Sequence, residues 1–188
     1  SNIIENNVVN SNSAAEADAL ELDIGTDNII QNNSLTASGY PGYSIYLYST
    51  LNNNFTNNAL KSSDYDFYSS ASSDNNIITN MTFNSSAWPT TASFAYSGDI
   101  YVDSADEAAG SGGLYNISRY LNITDVAGAN VLLNISYEGA SLSGINEDSL
   151  RIYKYNGTGW IPANTTSPLN GVDMARKTVD ANITDFSI

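Results

Sequence analysis

Apolar and polar positions in the first half of the chain alternate in short runs. Leu20-Glu21-Leu22-Asp23-Ile24 and Tyr43-Ser44-Ile45-Tyr46-Leu47-Tyr48 have the period of two that marks a strand with one buried face. Around them a six-residue phrase keeps returning. Asn2-Ile3-Ile4-Glu5-Asn6-Asn7 comes back as Asn28-Ile29-Ile30-Gln31-Asn32-Asn33, as Asn53-Asn54-Phe55-Thr56-Asn57-Asn58 and as Asn75-Asn76-Ile77-Ile78-Thr79-Asn80, in steps of 26, 25 and 22 residues. Leu20, Ile45 and Phe67 form a second marker, each eight residues before the leading Asn of the next phrase. Two markers in one register identify a stacked repeat. No 3.6-residue apolar spacing supports a helical repeat. Each repeat therefore reads as one turn of a parallel β-helix, with equivalent positions about 4.8 Å apart.

Aligned on its leading Asn, the phrase gives two columns. Ile4, Ile30, Phe55 and Ile77 form an inward apolar stack. Asn7, Asn33, Asn58 and Asn80 mark a corner, because Asn tolerates the left-handed backbone of a sharp bend and stacked amides hydrogen-bond along the axis. Trp88-Pro89-Thr90-Thr91-Ala92-Ser93 then breaks the repeat. Beyond it strands alternate without a period. Val131, Leu133, Ile135 and Tyr137 share one face, and Leu150–Tyr155 and Trp160-Ile161 flank Asn156-Gly157-Thr158-Gly159, a hairpin turn. Leu114–Ile123 and Thr178–Ile188 supply further strands, and Asp103–Ala109 is a candidate helical turn. The expected fold is all-β: a short parallel β-helix of about four coils over residues 1–93, followed by an antiparallel β-sandwich over 94–188.

The N-x-[IF]-x-x-N spacing over residues 1–87 resembles the NosD-type parallel β-helix repeats common in large surface proteins of methanogenic archaea. The resemblance implies right-handed coils. Ile145–Trp160 and Val179–Ser187 resemble a small β-domain that follows such repeats in methanogen surface proteins, where a membrane or wall anchor often comes next.

Charge narrows the partners. Twenty acidic against six basic residues give a net charge of −14, and Lys61 is the one basic residue before Arg119. Nucleic acid and anionic membranes are poor partners for such a chain, and the acidity suits solubility or a salty, cation-rich setting. The sequence contains no Cys and no His, which removes disulfides, thiolate metal sites, Ser-His-Asp chemistry and most zinc sites. No apolar run reaches the length of a membrane span. The chain starts in mid-phrase at Ser1-Asn2-Ile3 and stops in a strand-like run at Phe186-Ser187-Ile188, so it reads as part of a longer precursor.

Four features carry candidate chemistry. Asn-x-Ser/Thr sequons stand at Asn32, Asn54, Asn80, Asn84, Asn116, Asn122, Asn134, Asn156, Asn164 and Asn182, and six of them lie from residue 116 onward. They read as N-glycosylation sites, or as ordinary polar strand vocabulary. Asp23, Asp64 and Asp66 offer paired carboxylates of the kind a glycosidase needs, or solvated acids. Asp99, Asp103, Asp106 and Glu107 precede Gly110-Ser111-Gly112-Gly113 as hard oxygen donors for calcium, although no D-x-D-x-D-G loop is present. Tyr40, Tyr43, Tyr46, Tyr48, Tyr65 and Tyr68 either form an outer stripe for sugars or another subunit, or pack across coils.

Together these point to a glycosylated structural subunit of an archaeal extracellular surface layer, sheath or filament, with no catalytic activity, cofactor or metal. Its partners would be copies of itself or other surface-layer subunits, and N-linked glycans. The first coil, at Ser1, Asn2, Ile3 and Ile4, would present an open edge, and the terminal strand with Phe186 and Ile188 could cover it. A carbohydrate-binding adhesin module is the alternative, and a glycosidase remnant the third reading.

Overall fold

The computed structural model describes residues 1–106, 117–140, 142–156, 158–164 and 171–183, with the backbone alone at 126–128. The chain is all-β, a parallel β-solenoid continued by antiparallel strands. The first coil comprises β1 (Ile3–Glu5), β2 (Val8–Ser11) and β3 (Leu20–Asp23). The second comprises β4 (Ile29–Gln31), β5 (Ser34–Ala37) and β6 (Tyr43–Tyr48), and the third β7 (Asn54–Thr56), β8 (Ala59–Lys61) and β9 (Tyr65–Ser70). Strands stack in parallel, β1-β4-β7, β2-β5-β8 and β3-β6-β9. Leu20 faces Ile45 and Ile45 faces Phe67, as the second sequence marker requires.

The fourth phrase opens a coil that is not completed. β10 (Ile77–Phe83) carries the next corner within one strand, pairing with β7 before the left-handed Asn80 and with β8 after it. The chain then reverses at Trp88-Pro89, and β11 (Thr90–Ser104) returns antiparallel to β10 and then to β9. Gly98, at φ 80°, lies where β11 passes from one solenoid face to the next. Gly98 N donates to Asp74 Oδ1 at 3.4 Å, and Ser72 N donates to Asp99 Oδ1 at 3.1 Å, which ties β11 to the corner beneath it. β12 (Leu121–Ser136) pairs along β11. After it come β13 (Tyr153–Tyr155), β14 (Trp160–Pro162), β15 (Val172–Asp173) and β16 (Thr178–Ile183). β16 and β15 extend a 14-stranded sheet that includes the solenoid, while β13 and β14 form a separate hairpin held to the main core through Ile152 and Ala163. Hydrogen bonding thus runs unbroken through residues 93 and 94. Asp103 and Ser104 belong to β11 rather than to a helical turn.

One core runs through both parts. Ile4, Ile30, Phe55, Ile78, Phe94, Leu133 and Ala181 occupy successive paired positions, and from Ile30 onward each is almost wholly buried. The stack departs from the sequence alignment in the fourth coil, where Ile78, not Ile77, pairs with Phe55. Ile77 is 54% exposed and Ile78 is 1% exposed. The reason lies in the asparagine pairs at the corners. In Asp27-Asn28, Asn52-Asn53 and Asn75-Asn76 the first residue takes the left-handed backbone, at φ 55°, 58° and 57°. The second residue is buried and carries the amide ladder. The fourth phrase therefore begins at Asn76, and the same offset holds at the next corner. There Asn6, Asn32, Asn57 and Asn80 are left-handed, while the ladder is Asn7, Asn33 and Asn58. Met81, fully buried, fills the fourth ladder position.

Both ladders follow one rule. The backbone N–H and Nδ2 of each Asn donate to Oδ1 of the Asn one coil on: Asn2 to Asn28, Asn28 to Asn53, Asn53 to Asn76, and Asn7 to Asn33 to Asn58, at 2.9–3.2 Å. Asn76 Nδ2 closes the first ladder on Thr50 O, Ser73 O and the Tyr96 hydroxyl, which itself donates to Ser69 Oγ at 2.7 Å.

The register makes a paired prediction. Ile78→Asp should unfold the chain, because it loses an apolar burial of roughly 1.5–3 kcal/mol and strands a charge. Ile77→Asp should shift urea-unfolding stability by no more than about 0.5 kcal/mol. Equal effects would refute the register.

Candidate functional site

The outer face of β6, β9 and β11 carries the tyrosines. Tyr46, Tyr68 and Tyr101 occupy paired positions on the three strands, and Tyr43 pairs with Tyr65. The centroids of Tyr46 and Tyr68 lie 5.0 Å apart with 13° between planes, and those of Tyr68 and Tyr101 lie 4.2 Å apart with 18°. Tyr65 approaches Tyr101 to 4.3 Å and Tyr43 approaches Tyr68 to 5.2 Å. Tyr46, Tyr68 and Tyr101 stand face against face along the sheet, with Tyr43 tilted 60° to Tyr68, so cross-coil packing uses faces that a sugar would need. Both sequence readings meet here: the tyrosines are on the outside, and they pack on one another. Tyr48 is 43% exposed at the end of the cluster, and Tyr40 lies in the β5–β6 loop, 76% exposed. Tyr101 falls outside the repeat, and its part in the row was not legible from the period. Burial pushes the Tyr43 hydroxyl up to about 12 and raises Tyr101 as well.

Beside the row the three glycosidase candidates separate. Asp23 is exposed on β3 and Asp64 is half-buried. Asp66 is fully buried, with Ser85 Oγ donating to its Oδ1 at 2.6 Å and Ser104 N to its Oδ2 at 3.4 Å. A carboxyl with no exposed atom cannot touch a bound sugar. Its neighbour is Asp103, whose buried Oδ1 meets no N–H or hydroxyl donor among the described residues. One proton shared between the two carboxyls satisfies both. Burial first, and then the Asp103 charge, push Asp66 up to about 7, and burial raises Asp103.

The calcium candidates also divide. Asp99 accepts from Ser72 N, Asp103 faces Asp66, and Asp106 Oδ1 accepts from Ala87 N at 3.1 Å. Glu107 and the Gly110–Gly113 run lie outside the described residues. No three acidic side chains among the described residues converge on a metal position.

The sequons follow a simple division. Asn32, Asn54, Asn80, Asn84, Asn122, Asn164 and Asn182 are exposed, Asn134 and Asn156 are half-buried, and Asn116 lies outside the described residues. The five buried asparagines among the described residues, Asn28, Asn33, Asn53, Asn58 and Asn76, are not sequons. Strand periodicity gives the reason: two residues past an inward Asn is another inward position, and it holds Ile30, Leu35, Phe55, Leu60 or Ile78. Two residues past an outward Asn is another outward or corner-adjacent position, where Ser or Thr is free to stand, as at Ser34, Thr56 and Ser136. At Asn156, Oδ1 accepts from Thr158 N, Thr158 Oγ1 and Gly159 N, so that amide closes its own hairpin.

Of the expected assembly edge, Phe186 and Ile188 lie outside the described residues. At the other end β1, β2 and β3 each pair with a second-coil strand and, among the described residues, with nothing else. Ile4, Val9, Leu20 and Leu22 are half-buried where their second-coil partners are buried. A second polar cluster fixes the far end of β12. The Tyr137 hydroxyl and Lys177 Nζ both donate to Glu147 Oε1 at 2.6 Å, and Lys177 lies 5.8 Å from the Tyr137 ring centre.

Compared with family models, with curated proteins and with solved structures, the chain has no match. No helix of the described residues is long and apolar enough to cross a membrane.

The buried carboxyl pair sets a pH dependence. The folded chain holds a proton on Asp66 that the unfolded chain releases near its ordinary 3.8. This contribution to stability is complete below about pH 4 and is lost as pH rises towards 7. Asp66→Asn keeps the shape and supplies a permanent donor to Asp103. Its urea midpoint should fall less than that of the natural chain between pH 5 and pH 8, and should lie above it at pH 8. A natural chain more stable at pH 8 than at pH 5 would contradict the assignment.

Proposed function

We propose that the chain is a structural module of an extracellular assembly of the archaeal surface-layer, sheath or filament kind, glycosylated on its outer faces and joined to its neighbour through the first coil. The observation that carries this reading is the end of the solenoid. The first coil offers three strand edges, an apolar cross-section of Ile4, Val9, Leu20 and Leu22, and the Oδ1 atoms of Asn2 and Asn7, whose counterparts in later coils each accept two hydrogen bonds. Whatever covers it needs the same shape: another β-coil with N–H and amide donors at the two corners. Residues preceding Ser1 and a coil of another subunit both fit that description, whereas this chain's own last ladder amide, on Asn76, is already taken by Thr50, Ser73 and Tyr96. The tyrosine row and the shared core give a rigid body, as a load-bearing repeat requires. The sequons lie outside it, as a glycoprotein requires. The adhesin reading draws support from the exposed rings of Tyr40 and Tyr48, since the rings of the row cover one another.

Such contacts are hydrogen-bonded and apolar, so assembly should persist at high salt, whereas cation-bridged acidic chains would fall apart when the cation is removed. Ile4→Asp with Val9→Asp should abolish end-to-end assembly seen by electron microscopy and sedimentation while strand content is retained. Normal assembly by the double variant would overturn the end-to-end reading. A variant that unfolds instead would show that these residues belong to the fold's own core.

A further inference from the structure

A shallow trough of about 690 Å³ lies on the outer face of β10, β11, β12 and β16, away from the tyrosines. Its floor is neutral and built from strand pairs. Ser93 pairs with Asn134, Ser136 pairs with Thr178, and the Thr91 hydroxyl lies 2.9 Å from that of Thr82. Asn80 N donates to Ser93 Oγ at 2.9 Å. Arg176 and Glu138 stand at the margin, and Arg176 pairs with Asp173 at 3.7 Å. Asp180, which opposes Asn134 on β16, has its carboxylate beside Gly171.

Two sequons open into this one trough, Asn80 at the bulge of β10 and Asn134 in the middle of β12. Two strand spacings, about 10 Å, separate them. Neither side-chain amide makes a hydrogen bond to another described residue. The volume falls in the range that takes a ligand of a few rings. Hydroxyls and amides beside nearly as much apolar surface suit a neutral sugar, whose hydroxyls both donate and accept and whose C–H groups are apolar.

We infer that the trough is the bed of a glycan attached at Asn134, which lies across Ser93, Thr91 and Thr178 and covers Asn80. The inference rests on the glycoprotein reading above and adds to it where one sugar goes. In the covalent step Asn134 Nδ2 loses a proton and bonds to C1 of a sugar carried on a lipid phosphate, which departs with the bonding electrons. A separate transferase catalyses the step. Once tethered, the sugar needs no affinity as a free ligand, because its local concentration is set by the link. A few hydrogen bonds from the floor hold it down. Asn80, beneath it, stays bare in the same molecule.

Mild periodate cleaves the vicinal diols of exposed sugars, and peptide mass spectrometry reads the result at each Asn. In folded glycoprotein from its own cells, the Asn134 glycan should oxidise about tenfold more slowly than after unfolding in urea, a protection that one or two net hydrogen bonds supply. Thr91→Val with Thr178→Val keeps the sequon and the side-chain shape, and should bring the folded rate up to the unfolded one. Equal rates in the natural protein would overturn the bed, as would sugar on Asn80 and Asn134 in one molecule. Sugar at other sequons with Asn134 bare would overturn this assignment and leave the glycoprotein reading standing. Bare asparagine at every sequon would overturn both.

Discussion

Everything in the first half hangs on the corner asparagine. A solenoid coil this small must turn sharply, and each turn buries backbone N–H groups that no strand partner reaches. Asn28, Asn33, Asn53, Asn58 and Asn76 are at most 5% exposed. The next coil's Oδ1 takes both the backbone N–H and the amide of the one before it, so burial leaves no donor unpaired. An unsatisfied buried donor costs about 1–3 kcal/mol. Full burial of an apolar side chain such as Phe55 contributes about the same. The two terms are therefore comparable, and the fold needs both the ladder and the stack in register.

The ends of the ladders then explain how the solenoid stops. Met81 removes the amide from one corner, and Tyr96 receives the last amide of the other. With both ladders ended, β10 still turns its corner at the left-handed Asn80, but no further parallel coil among the described residues stacks on it. The chain reverses, and the single strand β11 covers two solenoid faces. The antiparallel strands extend the same sheet from there, with Phe94, Leu133 and Ala181 continuing the Ile30–Phe55–Ile78 stack.

The coils and their inward stack were legible because the spacing of Asn and apolar residues is the spacing of the coil. Three things were not. The fourth coil shifts by one because Asn75 and Asn76 are chemically alike, and only backbone conformation separates the left-handed residue from the ladder residue. Ile77-Ile78 offered no polar residue to break the tie. The alignment of Tyr101 with Tyr68, and of Asp103 with Asp66, depends on how β11 folds back, and an antiparallel return leaves no periodic trace. The sorting of sequons was implicit in the two-residue alternation, since an inward Asn is followed two residues later by core.

Buried asparagines, more than polar surface asparagines of the same phrase, hold the coils together. Asn53 and Asn54 are adjacent and chemically identical, one 1% exposed in the ladder and the other on the outside. Equilibrium unfolding in urea of Asn53→Ala and Asn54→Ala compares them directly. Asn53→Ala, which strands the Asn28 donors, should lose about 2–4 kcal/mol, and Asn54→Ala no more than about 0.5 kcal/mol. Equal losses for the two variants would contradict that role of the buried asparagines.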